Sequence, residues 1–199
     1  MVSRDPTKPE SYAGTTLRRV VWSKELDAVR RLFQDYRDWI SDHRDTGSSA
    51  APRVKNGLGL IDRLIEELPG EYGPPRGDVI LAFAEGEVVA CGALRELEPK
   101  VGEIKRVYVR SDHRGPGFGP RLTQALLDRA DELGYERIRV DTLPTMSAAI
   151  EFYQKMGFVP IPGYWPHPVP SALYFEYTLM KSSPRHGPPK ASRSKPARS

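Results

Sequence analysis

Between Gly102 and Gly119 the chain reads Gly-Glu-Ile-Lys-Arg-Val-Tyr-Val-Arg-Ser-Asp-His-Arg-Gly-Pro-Gly-Phe-Gly. The run from Glu103 to Val109 has the composition of a strand, and it leads into a glycine-rich turn. The turn opens a helix whose apolar positions, Leu122, Ala125, Leu126, Ala130 and Leu133, recur at helical spacing. A strand, a glycine turn and a helix start together make an anion cradle. Glycine lets the backbone come close to a ligand, and the helix start offers unpaired N–H groups at the positive end of its dipole. The chemistry expected here is the binding of a phosphate or pyrophosphate.

Spacing separates the families of cradle. A dinucleotide site requires Gly-x-Gly-x-x-Gly, with an acidic residue at the end of the next strand. Asp141 meets the second condition, but Pro120 stands where the third glycine belongs. A P-loop is excluded because no Gly-Lys-Ser/Thr follows. What fits is Arg-x-x-Gly-x-Gly, running from Arg114 through Gly117 to Gly119.

The elements around the cradle follow from periodicity. Thr16–Val21 is a first strand. Leu26, Val29, Leu32, Phe33, Tyr36 and Ile40 predict a helix over about 24–43, with Ser23 as its N-cap. A second helix is expected near 60–68, ended by Pro69-Gly70. Two strands, 78–84 and 88–94, flank Glu85-Gly86-Glu87 as a hairpin. The strand 103–109, the cradle and a helix over 118–133 come next, with Gly134 just past the helix end. A strand at 137–142, a helix at 146–156 and strands at 158–161 and 173–180 complete the chain. The order is β-α-α-β-β-β-α-β-α-β-β.

The cradle motif resembles the acetyl-coenzyme A signature of the GCN5-related N-acetyltransferases (GNAT), and the element order is theirs over about residues 16–181. A second segment, Ala149-Ile-Glu-Phe-Tyr153-Gln-Lys-Met-Gly157-Phe158, resembles that family's Ala-x-x-x-Tyr-x-x-x-Gly-Phe. Leu68-Pro69-Gly70, Pro74-Pro75, Asp141-Thr-Leu-Pro144 and Pro168-Val-Pro170-Ser-Ala-Leu-Tyr174 are similar to a bacterial-type branch whose substrates are largely unassigned. The resemblance implies an α/β (α+β) acyl-CoA N-acyltransferase fold, a mixed central sheet of six to seven strands flanked by about four helices. It implies transfer of acetyl from acetyl-CoA to a primary amine of a small molecule or peptide by direct attack on the thioester.

The same resemblance distributes roles. The N–H groups of Gly115, Gly117, Phe118 and Gly119 are the expected pyrophosphate donors, with the Arg114 side chain as charge partner. In this family the residue at Pro120 often adds its own N–H, so Pro116 and Pro120 each remove a donor from this cradle. The backbone of Val107, Tyr108 and Val109 is expected along the pantetheine arm, with the Val107 N–H aimed at the thioester carbonyl. Tyr153 is the expected acid that protonates the departing thiolate, since a phenol keeps its proton at neutral pH. Glu103 is the candidate general base, on the strand where histone acetyltransferases of the superfamily carry a glutamate. A packed core tyrosine and a strand-end glutamate paired with Lys105 or Arg106 are the competing structural readings. Met146 stands where the family often has an asparagine.

An acceptor pocket is expected between the first two helices and the last strands, with Tyr36, Trp39, His43, Arg53, Arg106, His167 and Tyr174 as candidate walls. Aromatic and basic residues there suit an acidic or carboxylate-bearing amine. An alternative reading, a non-catalytic acyl-CoA sensor or adaptor, draws on the two prolines and Met146.

Composition bounds these readings. The chain has 199 residues, 39% apolar and 28% charged, enough for one domain with a proper core. The net charge of +4 resides in residues 182–199, which hold five Lys and Arg and no acid; without them the remainder carries −1. That basic tail and residues 1–14 are expected to be disordered, leaving residues 15–181 as the domain. Nucleic acid is then at most a weak partner through the tail. No apolar run suggests a membrane segment or signal peptide, and the single Cys91 sits in an apolar strand, so a cytoplasmic protein is expected. His43, His113, His167 and His186 have no ligand spacing, so no metal is expected. A monomer or homodimer is the expected assembly.

Overall fold

A computed structural model describes residues 10–12, 14–42, 51–114, 117–165 and 171–179. The basic tail, His43, His167, Gly115 and Pro116 lie outside them. The described elements run β1 (Glu10–Tyr12), β2 (Thr15–Arg19), α1 (Trp22–Asp42), α2 (Ala51–Glu66), β3 (Asp78–Ala84), β4 (Glu87–Glu98), β5 (Val101–Val109), α3 (Phe118–Glu132), β6 (Arg137–Thr142), α4 (Ser147–Lys155), β7 (Val159–Ile161) and β8 (Leu173–Thr178).

Eight strands form one sheet in the order β1-β2-β3-β4-β5-β6-β8-β7. β5 and β6 pair in parallel, and the other neighbours are antiparallel. The eighth strand is β1, three residues paired to β2 inside the segment expected to be loose.

The sheet is covered on both faces, which explains its composition. β3 is apolar almost throughout, as a strand with no solvent face must be. Its residues alternate between two cores. Ile80 and Ala82 pack with Leu122, Leu126 and Ala130 of α3 and Tyr153 of α4. Val79 and Leu81 pack with Val29, Leu32 and Phe33 of α1 and Ile61 and Ile65 of α2. Each fully buried leucine among these contributes about 1.5–3 kcal/mol.

α1 starts at Trp22 rather than after Ser23. Its opening is held by Glu25, whose carboxylate accepts the Val21 N–H at 2.7 Å. α3 lies so close to β4 that a Cβ on Gly92 would sit 2.7 Å from Leu126 Cδ1. Only glycine lets this helix settle onto the strand pair that it caps.

Candidate functional site

Two irregularities in β5 build the site. The first faces β4, where Cys91 pairs with Tyr108 but Ala93 pairs with Lys105. Arg106 and Val107 therefore oppose Gly92 alone, and the strand bulges. Arg106 takes up the extra length with φ +57, a left-handed conformation that few non-glycine residues adopt. The second irregularity faces β6. Pairing begins at Val101–Arg137 and stops at Glu103–Arg139, although β5 continues to Val109 and β6 to Thr142. The two strands part beyond Glu103, and the β5 backbone there has no strand partner on that side.

The cradle follows β5 in the chain and opens α3. Gly117 caps α3 with φ +117, which glycine tolerates and other residues do not. The Arg121 N–H already bonds the Gly117 carbonyl at 3.1 Å. Pro120 is therefore the third helical residue, and it has no N–H to give. Phe118 and Gly119 are left with orphan donors in the first turn. No side chain caps this helix start, and a Cβ built on Gly119 would meet nothing within 4 Å. The site has the room and the donors that an anion needs.

Arg114 is engaged elsewhere. Its Nε donates to the Val109 carbonyl at 3.1 Å, and its guanidinium lies 5.1 Å from the Trp39 ring. The Tyr108 side chain turns to α1, meeting Tyr36 and Trp39 at centroid distances of 6.2 Å.

A cavity of about 280 Å³ opens where the strands part. Val107 and Tyr153 both line it, with Tyr36, Trp39 and Arg106 among the expected walls. Tyr174 stands behind, its hydroxyl donating to the Trp165 carbonyl at 3.0 Å. Arg53 lies in α2, and Met146 lines the cavity with its sulfur 3.6 Å from the Thr142 hydroxyl. Tyr153 is packed against Phe152, Phe158 and Phe175. Burial, then the nearby Asp141, push its phenol well above the ordinary value, so it stays protonated at neutral pH.

Glu103 is fully buried and outside the cavity wall. Arg95 holds Oε2 through Nε at 2.6 Å and a second nitrogen at 2.5 Å. The Tyr164 hydroxyl donates to Oε1 at 2.7 Å, and Lys105 Nζ approaches the same oxygen at 3.5 Å. Lys105 spans the parted strands to Asp141 at 2.7 Å and lies 5.2 Å from the Trp165 ring. Burial alone would depress the Lys105 ammonium, but Asp141 and Glu103 outweigh it and raise its pKa, so the lysine stays charged. Arg95 reaches back to Glu71 at 2.7 Å. Lys105 thus pairs with Glu103, as the competing reading of that glutamate had it, whereas Tyr72, Arg95, Asp141, Tyr164 and Trp165 join a site for which the sequence gave them no role. The signal for Arg95 was its cross-strand register with Glu103. Tyr164 arrives from a loop sixty-one residues away and left no such signal.

Cys91 is buried and unoxidised, with its thiol raised by desolvation, and so is inert. Among the described residues, no helix is long and apolar enough to cross a membrane, and no three His, Cys, Asp or Glu side chains gather as metal ligands.

Comparison with known proteins agrees with this geometry. An uncharacterized N-acetyltransferase of Schizosaccharomyces pombe is 33% identical over 113 residues, covering 56% of this chain and 69% of that one. An IAA acetyltransferase of Azospirillum brasilense is 32% identical over 102 residues, covering 50% of this chain and 67% of that one. The chain spans only 38% and 52% of relatives from Dictyostelium discoideum and Bacillus subtilis. In fold, the PaiA N-acetyltransferase of Thermoplasma acidophilum, solved in complex with coenzyme A, superposes with a TM-score of 0.63 at 14% identity, over 83% of this chain and 99% of that one. The family model described as acetyltransferase (GNAT) family matches residues 26–158, two thirds of the sequence, and the chain belongs to that family.

Proposed function

We propose that the protein transfers the acetyl group of acetyl-CoA to the amine of a small molecule or peptide, by direct attack of the amine on the thioester. One observation carries this reading. Beyond Glu103 the β5 backbone is unpaired on its β6 side, a cavity there has both Val107 and Tyr153 in its wall, and the uncapped start of α3 follows β5 in the chain. The Phe118 and Gly119 N–H groups would hold the pyrophosphate, supported by Gly117; the expected donor at Gly115 lies outside the described residues. Arg114, bound to Val109, would add a positive charge near the site rather than a direct contact. The β5 backbone from Val107 to Val109 would pair with the pantetheine arm as a strand pairs with its neighbour.

In the transfer, the amine forms a bond to the carbonyl carbon, and the Val107 N–H steadies the developing oxyanion. The carbon–sulfur bond then breaks, and Tyr153 gives its proton to the thiolate. A buried phenol above its ordinary pKa suits that role, because it stays loaded until a strong base forms beside it. The amine's own proton must leave as well. With all its acceptor positions engaged by Arg95, Tyr164 and Lys105, Glu103 is a poor base as placed. Its surroundings favour a positioning role, fixing Lys105 and the Tyr164–Trp165 wall. Asp141, the one carboxylate on the cavity surface among the described residues, is itself held by Lys105 at 2.7 Å, so the proton would leave through water in the cavity.

The test is direct. Acetyl-CoA should raise the melting temperature of the purified protein, and an amine library should release free thiol in its presence. No shift at millimolar acetyl-CoA would defeat the proposal. Binding without thiol release on any amine would favour a sensor, the reading that Met146 and the missing Pro120 donor support.

A further inference from the structure

Arg106 stands apart from the other charged groups of the cavity. It is 8% exposed, its guanidinium lies 5.3 Å from the Tyr36 ring and hydrogen-bonds that side chain, and its Nε hydrogen has no acceptor. The nearby carboxylates are held by other cations, Glu71 and Glu103 by Arg95, and Asp141 by Lys105. Tyr72 lines the same cavity at 1% exposure, and its hydroxyl also lacks a partner. A buried donor left unmade costs free energy, and a buried cation costs more. Two such donors on one wall mark a place built for an acceptor.

The surroundings specify that acceptor. Three cations, Arg95, Lys105 and Arg106, line the cavity against one anion, Asp141, among the described residues. Glu71, Glu103 and Asp141 already answer Arg95 and Lys105, so it is beside Arg106 that a negative group is favoured. The remaining wall is apolar, with Ile40 of α1 and Leu60, Ile61 and Leu64 of α2. The volume of about 280 Å³ lies near the lower end of small-ligand pockets, roughly 300–1,000 Å³. The bulge completes the case, because its strained left-handed turn at Arg106 is what brings this side chain beside Lys105 on the cavity wall.

We propose that the Arg106 guanidinium and the Tyr72 hydroxyl form a carboxylate-binding subsite, and that the acetyl acceptor is a small amine bearing a carboxylate and an apolar body. The inference rests on the acetyltransferase reading above. A carboxylate would accept the Nε–H and a second guanidinium N–H side by side, and the tyrosine hydroxyl would donate to it as well. An internal lysine of a peptide offers no such group at a fixed distance from its amine.

The test uses matched ligands on the full chain with coenzyme A present. L-phenylalanine is compared with L-phenylalaninamide, L-leucine with L-leucinamide, and 4-aminobutanoate with 4-aminobutanamide. Binding is read by tryptophan fluorescence, since Trp39 and Trp165 line the cavity. In at least one pair the carboxylate should bind about 10-fold or more tighter than its amide, the size of a charge-assisted contact. Arg106→Met should erase that preference, Arg106→Lys should keep part of it, and Tyr72→Phe should weaken it. Melting temperature should not fall in Arg106→Met or Tyr72→Phe, since each removes an unpaired buried donor, and acetyl-CoA affinity should hold in all three. Amides that bind as well as the acids in every pair would overturn the subsite. So would a preference that survives Arg106→Met, or that survives Tyr72→Phe and Arg106→Lys undiminished should the methionine variant not fold. Thiol release, measured with acetyl-CoA in place of coenzyme A, separates the two claims. Carboxylate preference without release keeps the subsite and defeats the enzyme, whereas release with acid and amide alike does the reverse.

Discussion

Replacing Pro120 with alanine should make the protein bind coenzyme A more tightly. In α3 the proline occupies the third position of the first turn, where a backbone N–H would otherwise be free to meet the pyrophosphate. Alanine restores that donor and leaves the helix otherwise unchanged. A hydrogen bond to a charged group contributes about 1.5–3 kcal/mol. Pro120 is exposed, so water competes and the lower end applies. That end corresponds to about a tenfold fall in Kd. Stability should move the other way. Losing a proline loosens the unfolded chain and costs about 0.4–1 kcal/mol. For a protein of this size that is a fall in melting temperature of roughly 1–4 °C. Calorimetric titration with coenzyme A and a thermal melt without it read the two effects separately. Glycine at the same position should also restore the donor while costing a further ~1 kcal/mol of helix stability. Unchanged or weaker affinity in the alanine variant would refute the reasoning, since it would mean that the α3 start does not hold the phosphates.

Tyr153→Phe should lower kcat by about 100-fold, with acetyl-CoA affinity within about twofold; unchanged turnover removes it from the acid role. Because its pKa is raised, the wild-type rate should climb with pH as the amine loses its proton and should not fall before about pH 10; a decline between pH 8 and 9 would contradict a protonated Tyr153 as the acid. Glu103→Gln removes one partner of a buried ion-pair network and should destabilise by about 3–5 kcal/mol while leaving the low-pH limb of kcat/KM in place; loss of that limb would make Glu103 the base after all. Gly92→Ala should cost about 1–3 kcal/mol by pressing on Leu126, and Leu126→Ala about 2–5 kcal/mol. Together they should cost less than the two values added, because the smaller side chain makes room for the methyl; simple additivity in denaturant melts would show that α3 does not press on β4 there.

The sequence was most readable where one kind of signal acted alone. β3 and β6 begin and end where an apolar run meets glycine, acidic or threonine residues, and the structure keeps both boundaries. The acetyltransferase cradle and the tyrosine segment were legible because each is a local motif. α2 was not. It starts at Ala51, nine residues before the expected 60, through Asn56, Gly57 and Gly59, all weak helix formers. Packing of Ile61 and Ile65 against α1 and the sheet overrides that propensity. β4 runs on to Glu98 although its apolar run stops at Leu94, because pairing with β5 supports the alternating charges beyond it. The ion-pair network was hidden for a different reason. Arg95 meets Glu103 only once the hairpin register is known, and irregular pairing between Glu96 and Glu98 shifts the count from the turn. Tyr164 reaches Glu103 only once the sheet order sets β8 beside β6 and the loop between β7 and β8 carries Tyr164 back to β5.

The parting of β5 and β6 also bears on how the sheet holds together. Five strands lie to one side of that line and three to the other, and the ladder that joins them has three residue pairs. Among the described residues, the Lys105–Asp141 contact adds a stitch beyond them. A ligand arm hydrogen-bonded to the free edge of β5 would act as the missing length of ladder. Substrate would then be part of the scaffold while it is bound, and the three-strand half would open more readily without it. Amide exchange should show this as slower opening of β6 and β8 on adding acetyl-CoA, with β3 and β4 scarcely changed. Equal slowing across the sheet would mean that the two halves already move as one.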